Sequence, residues 1–158
     1  AFILSAFIFV NNNYYSDYKP ILMTKTDLEN TISFQNPRQM RKTGKIYFKD
    51  DYIFLNEKFT GVHIIDNKNP ANPITVGFIV IPGCIDIAIK NNTLYADNAS
   101  DLIALDLSDG FNNIAISKRL PSVFPELLPP DGKPLNPKFS VDKRPLNTVI
   151  VGWKKIFD

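Results

Sequence analysis

Nothing else in this chain limits the fold as severely as the stretch from Gly44 to Leu120, where one unit of about 40 residues is written twice. Asp50-Asp51-Tyr52-Ile53-Phe54-Leu55-Asn56 lies over Asn91-Asn92-Thr93-Leu94-Tyr95-Ala96-Asp97, and in both a polar turn leads into an apolar run. After a single-residue slip, Gly61-Val62-His63-Ile64-Ile65-Asp66 lies over Asp101-Leu102-Ile103-Ala104-Leu105-Asp106. Each copy has the same order of run, turn, run, Asp-ended turn, run. Self-similarity at this period, with about four short strands per copy, is the pattern of β-propeller blades.

The strands expected in the first copy are Lys45–Lys49, Tyr52–Asn56, Val62–Asp66 and Ile74–Val80; in the second they are Ile85–Lys90, Thr93–Asp97, Leu102–Leu107 and Ile114–Arg119. Tyr52-Ile53-Phe54-Leu55 and Phe78-Ile79-Val80-Ile81 are apolar on successive residues rather than alternating. A sheet with one wet face alternates, so these runs call for cover on both faces. Asp50-Asp51 and Asn91-Asn92 suit tight hairpins, because Asn and Asp tolerate left-handed backbone angles. The expected fold is therefore all-β and propeller-like: two four-stranded antiparallel blades, about 44–81 and 82–120, with flanks at 1–43 and 121–158.

Ala1 to Val10 is apolar at nearly every position and stops abruptly at Asn11-Asn12-Asn13. Ten residues are too few to span a bilayer as a helix but match the core of an export signal, the alternative being a buried packed segment. Tyr14 to Met23 reads as a polar and aromatic lead-in. Thr24 and Asp27 have capping-box spacing, and Leu28 and Ile32 share a face, which predicts a short helix over about Lys25 to Ser33. Asn36 to Lys42 reads as a basic, solvated connector. Beyond Leu120, seven prolines from Pro121 to Pro145 make a long irregular excursion, which ends in an apolar run at Thr148 to Trp153. That run reads as the first strand of another blade or a strand closing an edge.

Composition excludes more chemistry than it suggests. A net charge of +2, with the basic residues scattered, gives no nucleic-acid footprint. Cys84 is the only cysteine, so neither an internal disulfide nor a cysteine-based zinc site forms within the chain. His63 is the only histidine, which removes Ser-His-Asp, Cys-His and paired-histidine metal sites. No phosphate-cradling glycine loop occurs. No catalytic residue and no cofactor is therefore assigned. Asp97 and Asp101, across a hairpin turn, come nearest to a cation site, but Ala99 breaks the alternation of oxygen ligands that calcium uses, and a solvated turn is the better reading. Asp86 interrupts the apolar strand that would be innermost in its blade, and with His63 it is a candidate contact for a channel or ligand; water, a backbone N–H or simple packing accounts for either.

The Gly44-Lys45-Ile46-Tyr47 opening, His63-Ile64-Ile65-Asp66-Asn67-Lys68-Asn69-Pro70-Ala71-Asn72-Pro73, and Leu105-Asp106-Leu107-Ser108 resemble the LVIVD-repeat family. Pro20-Ile21-Leu22-Met23, Phe124-Pro125-Glu126 and Val151-Gly152-Trp153 look like the flanks of its exported members, and the resemblance covers about residues 18 to 158. These are β-propeller proteins of Bacteroidota and related bacteria, typically exported and often lipid-anchored. The chain departs from the family in having no cysteine after its apolar run and in holding two blades rather than a full propeller. The resemblance implies an exported binding or scaffold module of the bacterial envelope, at the periplasm, outer membrane or cell surface. The competing readings are part of a propeller enzyme completed by blades outside this sequence, and a structural subunit of an outer-membrane assembly.

A four-stranded blade face measures on the order of 300 Å² from strand spacing and rise. Covering it is worth ~8 kcal/mol, comparable to the net stability of a domain. Two stacked blades leave two such faces bare. The expected partners are accordingly a protein meeting the blade faces, or further blades of a longer chain, with no nucleic acid and with membrane contact only through the N-terminal apolar segment or a partner.

Overall fold

Residues 14–157 are described by the structure, a computed structural model; the expected export signal at 1–10 lies outside them. The elements in chain order are β1 (Tyr18–Thr24), α1 (Lys25–Asn30), β2 (Ser33–Gln35), β3 (Thr43–Lys49), β4 (Tyr52–Glu57), β5 (Gly61–Asp66), β6 (Ile74–Val80), β7 (Ile87–Lys90), β8 (Thr93–Asn98), β9 (Asp101–Asp106), β10 (Ala115–Leu120) and β11 (Thr148–Lys155), with short 3-10 turns at Phe111–Asn113, Pro137–Phe139 and Val141–Lys143. Strand accounts for 46% and helix for 10%, so the all-β expectation stands; the sheets are antiparallel and do not close into a barrel.

Both copies of the repeat fold into meanders of one register. In the first sheet Ile46 pairs with Leu55 and Phe54 with Ile64. In the second, Ile87 pairs with Ala96 and Tyr95 with Ala104, which are the corresponding positions. The one-residue slip falls in the turn after the second strand: Lys58-Phe59-Thr60 separate β4 from β5, whereas Ala99-Ser100 separate β8 from β9. Turn details repeat as well. Asp50 and Asn91 both sit at φ +53. The Asp66 carboxylate accepts from the Lys68 N–H and that of Asp106 from the Ser108 N–H, each at 2.9 Å. These Asx turns end the third strand of each meander and satisfy N–H groups that the ladder has released.

The two sheets share one core. Phe54, Val62, Ile64 and Ile79 of the first meet Ile87, Leu94, Ile103 and Leu105 of the second. Gly83, in the link between the sheets, has φ +76, and a Cβ there would lie 2.6 Å from the Ala99 backbone nitrogen. Only glycine fits a left-handed position against a neighbouring main chain.

The flanks depart from the sequence reading in three places. The helix ends at Asn30, with Thr24 accepting from the Asp27 N–H as its cap. Ser33–Gln35 is instead β2, which extends the first sheet to five strands by pairing with the outer side of β6. The lead-in contains strand β1, whose Pro20 is tolerated because a strand paired on one side need not donate from every residue. Finally, β11 joins neither meander. It pairs with β1 in a separate two-stranded ribbon with a bulge at Val151. The ribbon closes over the ends of both sheets: Val151 packs with Leu28 and Ala99, while Ile150 and Trp153 pack with Leu127 and with Phe59 from the β4–β5 turn. Asp131 ties the proline-rich excursion back to the lead-in, its carboxylate accepting from the Ser16 hydroxyl and the Asp17 N–H at 2.9 Å.

Candidate functional site

The four residues singled out from the sequence fall at three separate places. His63, on β5, is fully buried on the face of the first sheet turned away from the second. Its Nε2–H donates to Glu57 Oε2 at 2.6 Å and its ring meets Phe78 edge-on at 4.7 Å. Its Nδ1 is buried without a hydrogen-bond partner among the described residues. Asp86 stands just before β7. One carboxylate oxygen accepts from the Ile87 N–H at 2.8 Å and the other pairs with Lys45 of β3, tying the first strands of the two meanders together. That contact holds the exposed Lys45 ammonium above its ordinary value, chiefly through the hydrogen bond to Asp86.

Asp97 and Asp101 lie on opposite faces of the second sheet, since Asp97 pairs with Leu102 and Asp101 with Asn98. Asp97 turns to the link between the sheets, where Oδ1 accepts from the N–H groups of Ile85 and Asp86, both at 2.8 Å. Desolvation raises its carboxyl above the usual range even against those bonds. Asp101 is held by Arg119 at 2.8 Å and accepts from the Ser122 N–H at 3.0 Å. Each carboxylate thus serves a different strand junction. Among the described residues no group of three or more His, Cys, Asp and Glu side chains could hold a metal ion. Cys84 is buried, receives the Asn56 amide at 3.1 Å, and has its thiol pushed well up, first by desolvation and then by the Asp97 charge. A thiol kept protonated in this way is a packing group rather than a nucleophile.

A cavity of about 480 Å³ lies elsewhere, between the β1–β11 ribbon, the β4–β5 turn and the connector that precedes β3. Its apolar wall comes from Ile21 and Met23 of β1, Val80 of β6 and Val151 of β11; Trp153 also lies along it, with its side chain packed among Ile150, Leu127 and Leu22. Its polar wall holds Arg38, Arg41, Lys42 and Lys58, with Glu57 the one acid. The Arg38 guanidinium lies 3.3 Å above the centre of the Phe78 ring, which roofs His63. Its pKa is lowered by burial and by the nearby Arg41 charge, and raised in part by Glu57.

None of these cavity residues was a sequence candidate. The connector reads as solvated linker and its residues are indeed exposed. Only the β1–β11 pairing, invisible to local pattern, places Trp153 opposite it. No family model, no curated protein and no solved structure matches the chain.

Proposed function

We propose that the chain is a binding or scaffold module built on propeller blades, and that its bare sheet face is covered by another sheet of the same repeat. The observation that carries this reading is an inequality between matched positions. Ile46 of β3 is 55% exposed, whereas its counterpart Ile87 of β7 is 3% exposed beneath the first sheet. Phe48 is 70% exposed, and its counterpart Ile89 packs against the shared core. In the repeat, then, this face is suited to receive a neighbouring sheet, and in the first copy it meets none among the described residues. Contiguous exposed apolar side chains on a rigid sheet mark an interaction surface. β3 and β7 lie beside each other, joined by Lys45 and Asp86, as the innermost strands of adjacent blades do.

The envelope location rests on the apolar run at residues 1–10 and on the family resemblance. No helix among the described residues is long and apolar enough to cross a membrane. Light scattering on the isolated chain tests the reading. Concentration-dependent association or strong binding of an apolar dye is expected, and both diminish when Ile46 and Phe48 are replaced by Lys. A monodisperse chain that leaves the dye dark overturns it.

A further inference from the structure

We propose that the sheet covering the first meander's bare face is the second meander of another molecule of this chain, so that molecules join head to tail. The inference rests on the proposed covering of that face and identifies what covers it. A second inequality between matched positions carries it, on the opposite side of the two-sheet stack. Phe54, Val62 and Ile79 are at most 1% exposed beneath the second sheet. The repeat and its register put Tyr95, Leu102 and Leu120 at the same positions of the second meander. There Tyr95 is 37% and Leu120 41% exposed, and Ala88, beside Tyr95 on β7, is exposed as well. Among the described residues no sheet lies over them; Phe124 borders them along an open cavity of about 230 Å³. Within the chain, one contact joins the face of Phe54, Val62 and Ile79 to the face of Ile87, Leu94 and Ile103. The two bare faces are the unused halves of that same contact, with Tyr95, Leu102 and Leu120 in the first half and Ile46 and Phe48 in the second. A contact between two different patches is heterologous and propagates, closing a ring or running on as a filament.

Charge selects this pairing over a symmetric one. Lys45 and Asp86, which pair within the chain, occupy matched positions of the repeat. When the second meander of one molecule takes the part of a first, its Asp86 stands where Lys45 stood, and the incoming first meander brings Lys45 to the place of Asp86. Opposite charges meet again, and both side chains keep exposed surface for a second partner. The rest of the second meander's face is balanced, Lys90 and Lys118 against Asp97 and Asp106. Two first meanders set face to face would instead bring Lys45 and the exposed connector residues Arg38, Arg41 and Lys42 against their own kind. Because Arg38 already sits on Phe78, the contact engages chiefly β3 and β4 of one molecule with β7 and β8 of the next. Such a face is small beside the ~800 Å² per partner of a standard interface, so the association is expected to be roughly micromolar or weaker.

Two variants of the full chain test this by sedimentation velocity over a range of concentration. Ile46→Lys with Phe48→Lys blocks the first face, and Ala88→Arg with Tyr95→Lys blocks the second. The parent is expected to grow beyond dimers as concentration rises, and each variant alone to stay monomeric. Their equimolar mixture is expected to form a one-to-one dimer and nothing larger, through the two faces left intact. Circular dichroism of each variant should match the parent, and Ala88→Arg alone, at an exposed position, replaces the second pair of changes if Tyr95→Lys unfolds the chain. A second-face variant that associates as well as the parent, or a mixture that stays monomeric while the parent associates, overturns the head-to-tail arrangement and leaves the covered face standing. A parent that never associates and leaves an apolar dye dark overturns the covered face, and this inference with it.

Discussion

The two meanders share a register but cover the same face in opposite ways. In the second sheet that face carries Leu94, Ile103 and Leu105, all fully buried against the first sheet. In the first sheet the position matching Ile103 is His63 and that matching Asn98 is Glu57, and part of the face lies under the connector, with Arg38 seated on Phe78. A face that meets another sheet must be apolar, because a buried polar pair needs partners that a flat apolar neighbour does not supply. A face that meets a polar connector tolerates a hydrogen-bonded pair. The difference lies in what sits opposite, not in the strands themselves.

Breaking the His63–Glu57 pair should have the largest effect. Glu57→Ala leaves His63 buried without its partner and is expected to cost about 3 kcal/mol, as removal of one member of a buried pair does. Replacing both, Glu57→Leu with His63→Ile, puts at position 63 the isoleucine that Ile103 supplies in the second sheet and is expected to fall within about 1 kcal/mol of the parent, since a well-packed apolar pair often equals the polar one. Urea denaturation of the single variant and the double variant checks this. A double variant as unstable as Glu57→Ala would mean that the polar pair is required by the packing around it.

Matched isoleucines give the next largest contrast. Ile87→Ala removes core volume between the sheets and is expected to cost about 3 kcal/mol. Ile46→Ala, at the same position in the other copy, is expected to stay within about 0.5 kcal/mol in dilute solution, as exposed substitutions do. If the bare face acquires a neighbouring sheet at high concentration, the gap narrows. Denaturation midpoints measured at low and high protein concentration give the answer, and equal costs at both sites in dilute solution would break the comparison.

A contrast between the sheets and the ribbon follows. The Thr24 hydroxyl caps α1 by accepting from the Asp27 N–H at 3.1 Å, and the helix sets Leu28 against Val151 and Ala99. Thr24→Ala is expected to cost about 1 kcal/mol. Amide exchange should quicken in β1, α1 and β11 while that of β4, β5, β8 and β9 holds. Uniform quickening would mean that the ribbon and the sheets open together.

How much could be foreseen follows from the same division. The meanders were legible because repetition reinforced a local signal: all eight expected strands fall within two residues of those observed. Propeller arrangement goes beyond what two sheets sharing a core establish. The ribbon was not legible, since β1 and β11 are separated by most of the chain and Pro20 disguises the first of them. The helical spacing of Leu28 and Ile32 extends the expected helix to about Ser33, yet Thr31 turns its hydroxyl back onto the Asp27 carbonyl at 2.5 Å and the helix closes at Asn30. As to candidate residues, His63 and Asp86 proved to sit at structural junctions, each identifiable as a polar break in an apolar run. The partners that give them meaning, Glu57 and Lys45, come from other strands. Arg41, Lys42 and Trp153 carried no local signal, because their common cavity exists only once the ribbon has formed.

The smallest expected effects come from two aspartates whose pH responses have opposite sign. Asp97 faces the link between the sheets and is raised by desolvation, so the folded state favours its protonated form. Its benefit is complete below the unfolded value near 3.9 and is lost as pH rises through the higher folded value. Asp131, in the excursion, also meets some desolvation, but the N–H groups of Asp17 and Lys133 and the Ser16 hydroxyl outweigh it and hold the carboxyl below its ordinary range. Its contribution is complete at neutral pH and is lost as pH falls below about 3.9 toward the lower folded value. Asp97→Asn keeps an oxygen for the Ile85 and Asp86 N–H groups and should leave the protein equally or slightly more stable at pH 7. Asp131→Asn should destabilise at pH 7 by less than about 1 kcal/mol, because the site is exposed, and converge on the parent near pH 3. Urea midpoints of both variants across pH 3 to 7 decide between these signs. Two curves bending in the same direction would show that the sheet junction and the tether of the excursion are not electrostatically distinct.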